Sequence, residues 1–288
     1  MGFKQKLQKI LKERLTVEEI KLLPRGFQTL DKIMIIKLHP KLLNKKEIIA
    51  ETCLEQLPYI KSVYLNQGKI KGQFREPENI RFLAGIEDPN VEHKEHGIIY
   101  RFNIEKIMFS KGNLFERKYL VSLVKKGETI VDMFAGIGYF SLSIGKHSQV
   151  STIYSIELNP VSYEYLVQNI KINHLEEKII PIHGNCKEEV MKLSKSGIQA
   201  DRVIMGVFPA PKDYIKEALS LTKATGTYIH YEGVVDKDND LVLYNEFLKI
   251  AEDIEYKIRL DSKRLIKSYG PGLYHIVYDI FVKKRINN

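Results

Sequence analysis

The sequence contains no tryptophan and only two cysteines, Cys53 and Cys186, among its 288 residues. Two cysteines so far apart exclude a disulfide scaffold and a cysteine-rich metal pattern, so no metal site is expected. No apolar run approaches the ~20 residues that a membrane-spanning helix needs. No apolar block of a signal peptide follows the basic N-terminal segment. We therefore expect a cytoplasmic protein, monomeric and without a membrane partner.

Acidic residues are fewer than basic ones, which gives a formal net charge of +9. A basic protein rich in tyrosine and lysine commonly binds nucleic acid, although lysine enrichment also accompanies high growth temperature. Near the C-terminus, Lys257, Arg259 and Lys263 share one parity and hence one face of a predicted strand. That face fits either phosphate contacts with a nucleic acid or a solvated sheet edge.

The hydrophobic pattern divides the chain into two parts. Residues 1–105 combine leading helices with short strands, which predicts a smaller N-terminal α+β module. Residues 106–288 alternate strand and helix, which predicts an α/β fold with a doubly wound sheet and helices on both faces. Ligands of such a sheet bind beyond the carboxyl ends of its strands.

A glycine turn follows the first predicted strand of the second part. The stretch from Glu128 to Phe140 places Asp132, Gly136 and Gly138 between a short apolar run and a helix. Glycine permits a sharp turn and a close approach of ligand to backbone, and the helix start offers free N–H groups. The pattern alone is weak, because a tight turn without a ligand also uses glycine.

An acidic residue, Glu157, ends the second predicted strand. It stands about 20 residues beyond the glycines, the sequence spacing at which such an acid accepts the hydroxyls of a ribose. A dinucleotide site would have a third glycine where this chain has Ser141. We therefore favour a nucleoside without a pyrophosphate over NAD. Asp132 and Glu157 together suit a cationic nucleoside such as S-adenosylmethionine.

Four motifs carry a family resemblance: His93–Gly97, Asp132–Phe140, Glu157–Pro160 and Ser268–Gly272. They resemble class I S-adenosylmethionine-dependent methyltransferase-like enzymes that modify the purine just 3′ of the tRNA anticodon. The likeness extends over nearly all of the chain. Two sister families share these motifs, the tRNA guanine N1-methyltransferases and the wybutosine-pathway tRNA aminocarboxypropyltransferases.

Three stretches favour the aminocarboxypropyltransferase side of this resemblance. Phe109–Asn113 stands where the methyltransferases typically have Asn-Pro-Arg. In the loop after the fourth strand, Gly206 replaces the first residue of their Asn-Leu-Pro, and Pro209 follows shortly after it. Tyr139 follows the second glycine, where the methyltransferases often have proline.

The resemblance also implies roles for particular residues. It places Ser110 and Arg117 at the methionine arm of the cofactor, whereas spacing alone would favour a solvated helix face for Arg117 and Lys118. Asn185 is expected near the adenine, where the family usually has aspartate, and Cys186 forms the pocket wall. Two roles for Asp132 are equally consistent with the sequence: it contacts the ligand, or it supports the glycine turn.

These expectations lead to transfer of the 3-amino-3-carboxypropyl group to 4-demethylwyosine in tRNA(Phe), with release of methylthioadenosine. Two alternatives stay open: N1-methylation of guanosine at the same position, and a non-catalytic tRNA-binding protein. No residue in the sequence identifies a general base.

Overall fold

The computed structural model describes residues 2–72, 74–109 and 113–285. Its contacts divide the chain into two units, Met1–Phe109 and Ser110–Asn288. The sequence pattern predicts that boundary between residues 105 and 106. No helix of the described residues is long and apolar enough to cross a membrane.

In its described residues, the first unit has three α-helices, one 3-10 helix (Pro40–Lys45) and eight short strands. The helices are α1 (Phe3–Leu11), α2 (Val17–Leu22) and α3 (Lys46–Gln56). The strands are β1 (Gln28–Leu30), β2 (Ile33–Ile36), β3 (Ser62–Asn66), β4 (Ile70–Lys71), β5 (Glu76–Pro77), β6 (Ile80–Gly85), β7 (Asn90–Glu95) and β8 (Ile98–Asn103).

A four-stranded sheet in the order β1-β2-β3-β6 carries the core of this unit. Helix α2 begins at Thr16, whose hydroxyl accepts a hydrogen bond from Glu19 N while the Glu19 carboxylate accepts one from Thr16 N. This reciprocal cap satisfies two N–H groups at the helix start. Leu7 and Leu11 of α1 are fully buried in the same apolar cluster as Ile49 of α3.

The second unit alternates strands and helices as predicted. Its helices are α4 (Leu114–Leu123), α5 (Ser141–His147), α6 (Pro160–Ile172), α7 (Cys186–Lys195), α8 (Ile215–Ser220) and α9 (Val242–Asp253). Its strands are β9 (Thr129–Asp132), β10 (Thr152–Glu157), β11 (Ile179–His183), β12 (Arg202–Met205), β13 (Thr227–Asp236), β14 (Tyr256–Gly270) and β15 (Leu273–Lys284).

These seven strands form one sheet in the order β11-β10-β9-β12-β13-β15-β14. The first five are parallel, and the β14–β15 hairpin continues the sheet in antiparallel fashion. Right-handed crossovers place α5 and α6 on one face and α7 and α8 on the other. Strand order reverses between β9 and β12, which is the point where doubly wound sheets bind their ligands.

Candidate active site

The turn after β9 depends on its two glycines. Gly136 and Gly138 have positive φ values of 57° and 97°. A Cβ on Gly138 would lie 2.7 Å from the Leu142 side chain and 3.1 Å from that of Leu166. Both the backbone angle and the close packing therefore require glycine at position 138.

Asp132 is buried at the end of β9 and supports this turn. Its carboxylate accepts a hydrogen bond of 2.6 Å from the Ser141 hydroxyl, which in turn accepts one of 2.8 Å from Ser155. Burial raises the pKa of Asp132 to about 6, against the lowering effect of the hydrogen bonds from Ser141 and from Phe134 N. Ser141, which the sequence places in the slot of a missing third glycine, is thus a partner of Asp132.

Glu157 joins the loops that follow three neighbouring strands. One carboxylate oxygen accepts from Gly136 N at 2.8 Å and the other from Asn159 N at 2.7 Å. The backbone carbonyl of Glu157 accepts from Gly184 N at 3.1 Å. Burial raises the pKa of Glu157 above its usual value, while the backbone N–H groups oppose that rise.

The loop after β11 contains two predicted cofactor residues. Asn185 is exposed and begins α7, where its side-chain oxygen accepts from Lys187 N at 3.0 Å. Cys186 is buried in the apolar cluster below, and burial raises the pKa of its thiol well above the usual value. A thiol held neutral in this way suits a pocket wall, because the thiolate is the nucleophilic form.

Helix α4 carries two consecutive basic residues, and the structure buries one and exposes the other. Arg117 is 2% exposed, and its guanidinium carbon lies 5.1 Å from the centre of the Tyr139 ring, next to the glycine turn. Lys118 is exposed. The solvated-face interpretation is therefore wrong for Arg117. Ser110 lies outside the described residues.

The loop after β12 brings Gly206 close to the turn after β9. A Cβ on Gly206 would lie 3.0 Å from the Phe140 ring and 3.7 Å from the carboxyl carbon of Glu232. Pro209 follows a cis peptide bond with Phe208, and its carbonyl accepts from Val234 N at 2.8 Å. The predicted substrate loop is thus tied by its backbone to β13.

A buried ion-pair network, which sequence reasoning missed, joins α4 to the C-terminal hairpin. Glu116 is fully buried and accepts two hydrogen bonds from Arg264, of 3.0 and 3.1 Å. Arg264 also contacts Asp279 at 2.6 Å, and Asp279 contacts His230 Nδ1 at 2.7 Å. Alternation along β14 does not single out Arg264, because a register shift between Leu260 and Ser262 puts it on the same face as the exposed Arg259.

Desolvation works against both ends of the Arg264–Asp279 contact. Burial alone would raise the pKa of Asp279, yet hydrogen bonds from His230 and Arg264 bring it below its usual range. Burial alone would lower the pKa of Arg264, and its hydrogen bonds to Glu116 and Asp279 raise it instead. Each charge in the network is therefore stabilised by a specific partner.

A second buried pair lies beside this network. Glu232 and His275 are both fully buried, and Glu232 Oε2 is 3.0 Å from His275 Nε2. Glu232 follows Tyr231, the register partner of Met205, so it lies level with the start of the Gly206 loop.

The exposed basic residues of β14 are partly neutralised within the chain. Arg259 donates to Asp261 at 2.6 Å, and Lys263 donates to Asp240 at 2.7 Å. The predicted shared face is wrong, because a register shift between Leu260 and Ser262 places Lys263 on the face opposite Lys257 and Arg259. Lys257 is exposed. β14 is the outermost strand of the sheet, so these charges line its edge.

The reversal of strand order, the glycine turn after β9 and the acid after β10 together define the fold of a class I S-adenosylmethionine-dependent transferase. Residues 91–260 match the TRM5/TYW2 methyltransferase domain, and residues 7–89 match the TYW2 N-terminal domain. The chain therefore belongs to the TRM5/TYW2 family, which confirms the resemblance seen in its motifs.

Two curated relatives represent the two activities of this family, one an aminocarboxypropyltransferase and the other a methyltransferase. The Pyrococcus horikoshii tRNA(Phe) (4-demethylwyosine(37)-C(7)) aminocarboxypropyltransferase is 34% identical over 98% of both chains. The Pyrococcus abyssi tRNA (guanine(37)-N(1))-methyltransferase Trm5b is 30% identical over 90% of this chain and 76% of its own length.

A solved structure confirms the predicted fold class. The crystal structure of P. horikoshii TYW2 in complex with MeSAdo superposes with a TM-score of 0.81 at 30% identity. The match covers 98% of this chain and 100% of that one.

Proposed function

We propose that this chain transfers the 3-amino-3-carboxypropyl group of S-adenosylmethionine to 4-demethylwyosine next to the anticodon of tRNA(Phe). The observation that carries the proposal is the match of residues 7–89 to a TYW2-type N-terminal domain, together with the end-to-end match to an aminocarboxypropyltransferase. Glycine at position 206 supports the same choice, because glycine offers no side chain to bind a guanine edge.

The cofactor fits the loops that Glu157 joins. The Glu157 carboxylate accepts from Gly136 N and Asn159 N, and its remaining lone pairs can accept the hydroxyls of a ribose. The methionine portion lies beside the glycine turn, on the side of Tyr139 and the buried Arg117. Asp132 acts behind that turn, since its carboxylate is already bound to Ser141. These assignments rest on the contacts of the loops.

The two remaining cofactor contacts lie at opposite ends of the ligand. Asn185 presents an exposed side-chain oxygen that suits the exocyclic amine of adenine, in addition to its bond to Lys187 N. Arg117 is buried beside Tyr139 and provides a cation for the methionine carboxylate, with Ser110 as its predicted neighbour. Cys186 closes the wall between them.

Orientation of the methionine arm determines which carbon is transferred. The sulfonium is already activated, so proximity and in-line geometry supply most of the catalysis. Attack on the γ-carbon breaks its bond to sulfur, moves the bonding electrons to sulfur and releases methylthioadenosine. Attack on the methyl carbon would instead release S-adenosylhomocysteine.

N1-methylation of guanosine is the second candidate, because the methyltransferase Trm5b matches 90% of this chain. A non-catalytic tRNA-binding role is disfavoured, because the glycine turn and the Glu157 contacts are intact. In either enzymatic case the partner is tRNA, and we propose a cytoplasmic monomer.

Identification of the released nucleoside separates these functions. The protein is incubated with S-adenosylmethionine and with tRNA(Phe) that carries either 4-demethylwyosine or unmodified guanosine, and products are resolved by chromatography and mass. Methylthioadenosine with the first tRNA is the expected result. S-adenosylhomocysteine with the second tRNA would establish methyl transfer instead. If neither product forms, the chain is a non-catalytic tRNA-binding protein.

A further inference from the structure

Two aromatic rings form a continuous surface at the loop after β12. The Phe208 and Tyr269 ring centres are 5.8 Å apart with their planes at 31°. Phe208 is partly buried, whereas Tyr269 is 50% exposed. Tyr269 belongs to the Ser268–Gly272 motif, which has no role in cofactor binding as described above.

The inner ring rests on a buried polar pair. His275 meets Phe208 edge-on, with ring centres 4.7 Å apart and planes at 84°. His275 is held in turn by Glu232, 3.0 Å from its Nε2. Both residues are fully buried, so water does not compete for this contact. Phe208 is thus supported from below while its neighbour Tyr269 faces solvent.

This aromatic surface lies at the carboxyl edge of the sheet, where the cofactor loops are. Phe208 is two residues after Gly206. Gly206 itself lies against the Phe140 ring, which follows the glycine turn, since a Cβ on Gly206 would be 3.0 Å from that ring. The carboxylates of Glu157 and Glu232 both raise the pKa of Asp132, which places all three at the same edge. A flat molecule on the rings would therefore lie beside the cofactor.

We propose that Phe208 and Tyr269 are the stacking surface for the acceptor nucleobase, and that the Glu232–His275 pair positions the Phe208 ring. The inference rests on the proposed function, which requires a base removed from its stack in the tRNA. Aromatic side chains hold such bases through their faces, and a tricyclic base covers more ring area than guanine. Phe208 and Tyr269 then favour a tricyclic acceptor.

Alanine substitutions test the stacking surface. Phe208→Ala and Tyr269→Ala should each raise the KM for tRNA about tenfold and leave the Kd for S-adenosylmethionine within twofold. Phe208→Leu keeps apolar volume without a ring and should also raise KM. Tyr59→Ala removes an equally exposed ring, 56% exposed in the other unit, and serves as the control. Unchanged KM in both alanine variants, with wild-type transfer intact, would overturn the stacking role.

Conservative variants test the positioning pair. His275→Gln keeps a donor for Glu232 but removes the ring under Phe208, so it should raise the tRNA KM as Phe208→Ala does. Glu232→Gln should raise KM less than Glu232→Ala, because its amide oxygen still accepts from His275. An unchanged KM for His275→Gln would overturn the positioning role.

The pH profile of turnover separates positioning by Glu232 from proton transfer. Groups that face Glu232 are His275, His230, Lys267 and Asp132. Glu116 lies on the far side of His230. A positioning role predicts that Glu232→Gln retains the wild-type profile, and loss of one limb of the profile would overturn it. Failure of the wild-type chain to transfer to any tRNA would instead count against the proposed function.

Discussion

The two sides of the strand-order reversal are held together by different kinds of contact. On the β9–β10 side, Asp132 meets Ser141 nine residues later and Glu157 meets Gly136 across 21 residues. On the β13–β15 side, Glu116 meets Arg264 across 148 residues and Glu232 meets His275 across 43. The first side is built from nearby chain and backbone N–H groups. The second depends on charged side chains brought together from distant segments.

This difference separates the edge where we propose that the cofactor binds from a network that anchors the C-terminal hairpin. Backbone N–H groups stay in place whatever the side chains do, so the Glu157 contacts can be replaced or shared by a ligand. A buried ion pair is different, because the loss of one partner leaves the other charge buried and unpaired. Substitutions on the two sides should therefore affect different measurements.

Arg264→Ala should have the largest effect on stability. It leaves the Glu116 carboxylate, fully buried, and the Asp279 carboxylate without their shared cation. We expect a loss of about 3–5 kcal/mol in the free energy of unfolding, measured by urea denaturation. Arg259→Ala removes an exposed arginine of the same strand, paired with the neighbouring Asp261, and should have a much smaller effect. Equal losses of unfolding free energy in the two variants would show that the Arg264 network does not anchor the hairpin.

Glu157→Ala should act mainly on ligand affinity. The ribose loses a charged acceptor, and two backbone N–H groups lose theirs, so binding of S-adenosylmethionine should weaken by roughly 1.5–3 kcal/mol. Calorimetry measures this change. Glu164→Ala, an exposed acid on α6, is the matched control. Wild-type affinity in Glu157→Ala would remove the ribose assignment.

Salt should distinguish the exposed edge of β14 from the buried network behind it. Binding of tRNA by a chain of net charge +9 releases counterions, so affinity should fall at least tenfold between 50 and 200 mM salt. Lys257→Ala should flatten the slope of log Kd against log salt. Substitution of Lys263 should change the slope less, because Asp240 already neutralises it. A salt-independent Kd would show that these charges only keep the edge soluble.

Acid should stabilise the wild-type chain relative to Asp132→Asn. The pKa of Asp132 is about 6 in the folded state against 3.8 for the free side chain. The folded state therefore binds the extra proton between these values, and stability rises as pH falls through 6. From pH 7 to pH 5 the gain should be about 1 kcal/mol. Parallel unfolding curves of both proteins measure it, and an identical pH dependence would contradict the burial of this charge.

Much of the β9–β10 side could be predicted from the sequence because its contacts are local. The alternation of strands and helices predicts the sheet, and the loops after neighbouring parallel strands then meet at one edge. Gly138 and Glu157 were identified in this way. Ser141 was noticed only as a missing glycine, since no pattern shows that its hydroxyl binds Asp132.

The sequence by itself determined the fold class, the position of the glycine turn and the acid that follows the second strand. These features depend on hydrophobic periodicity and backbone conformation, which act over short stretches of chain. Only the tertiary structure decided that Arg117 is buried, that Arg264 turns inward and that Glu116 is its partner. The physical reason is separation, because an ion pair across 148 residues exists only when the sheet has brought its two ends together.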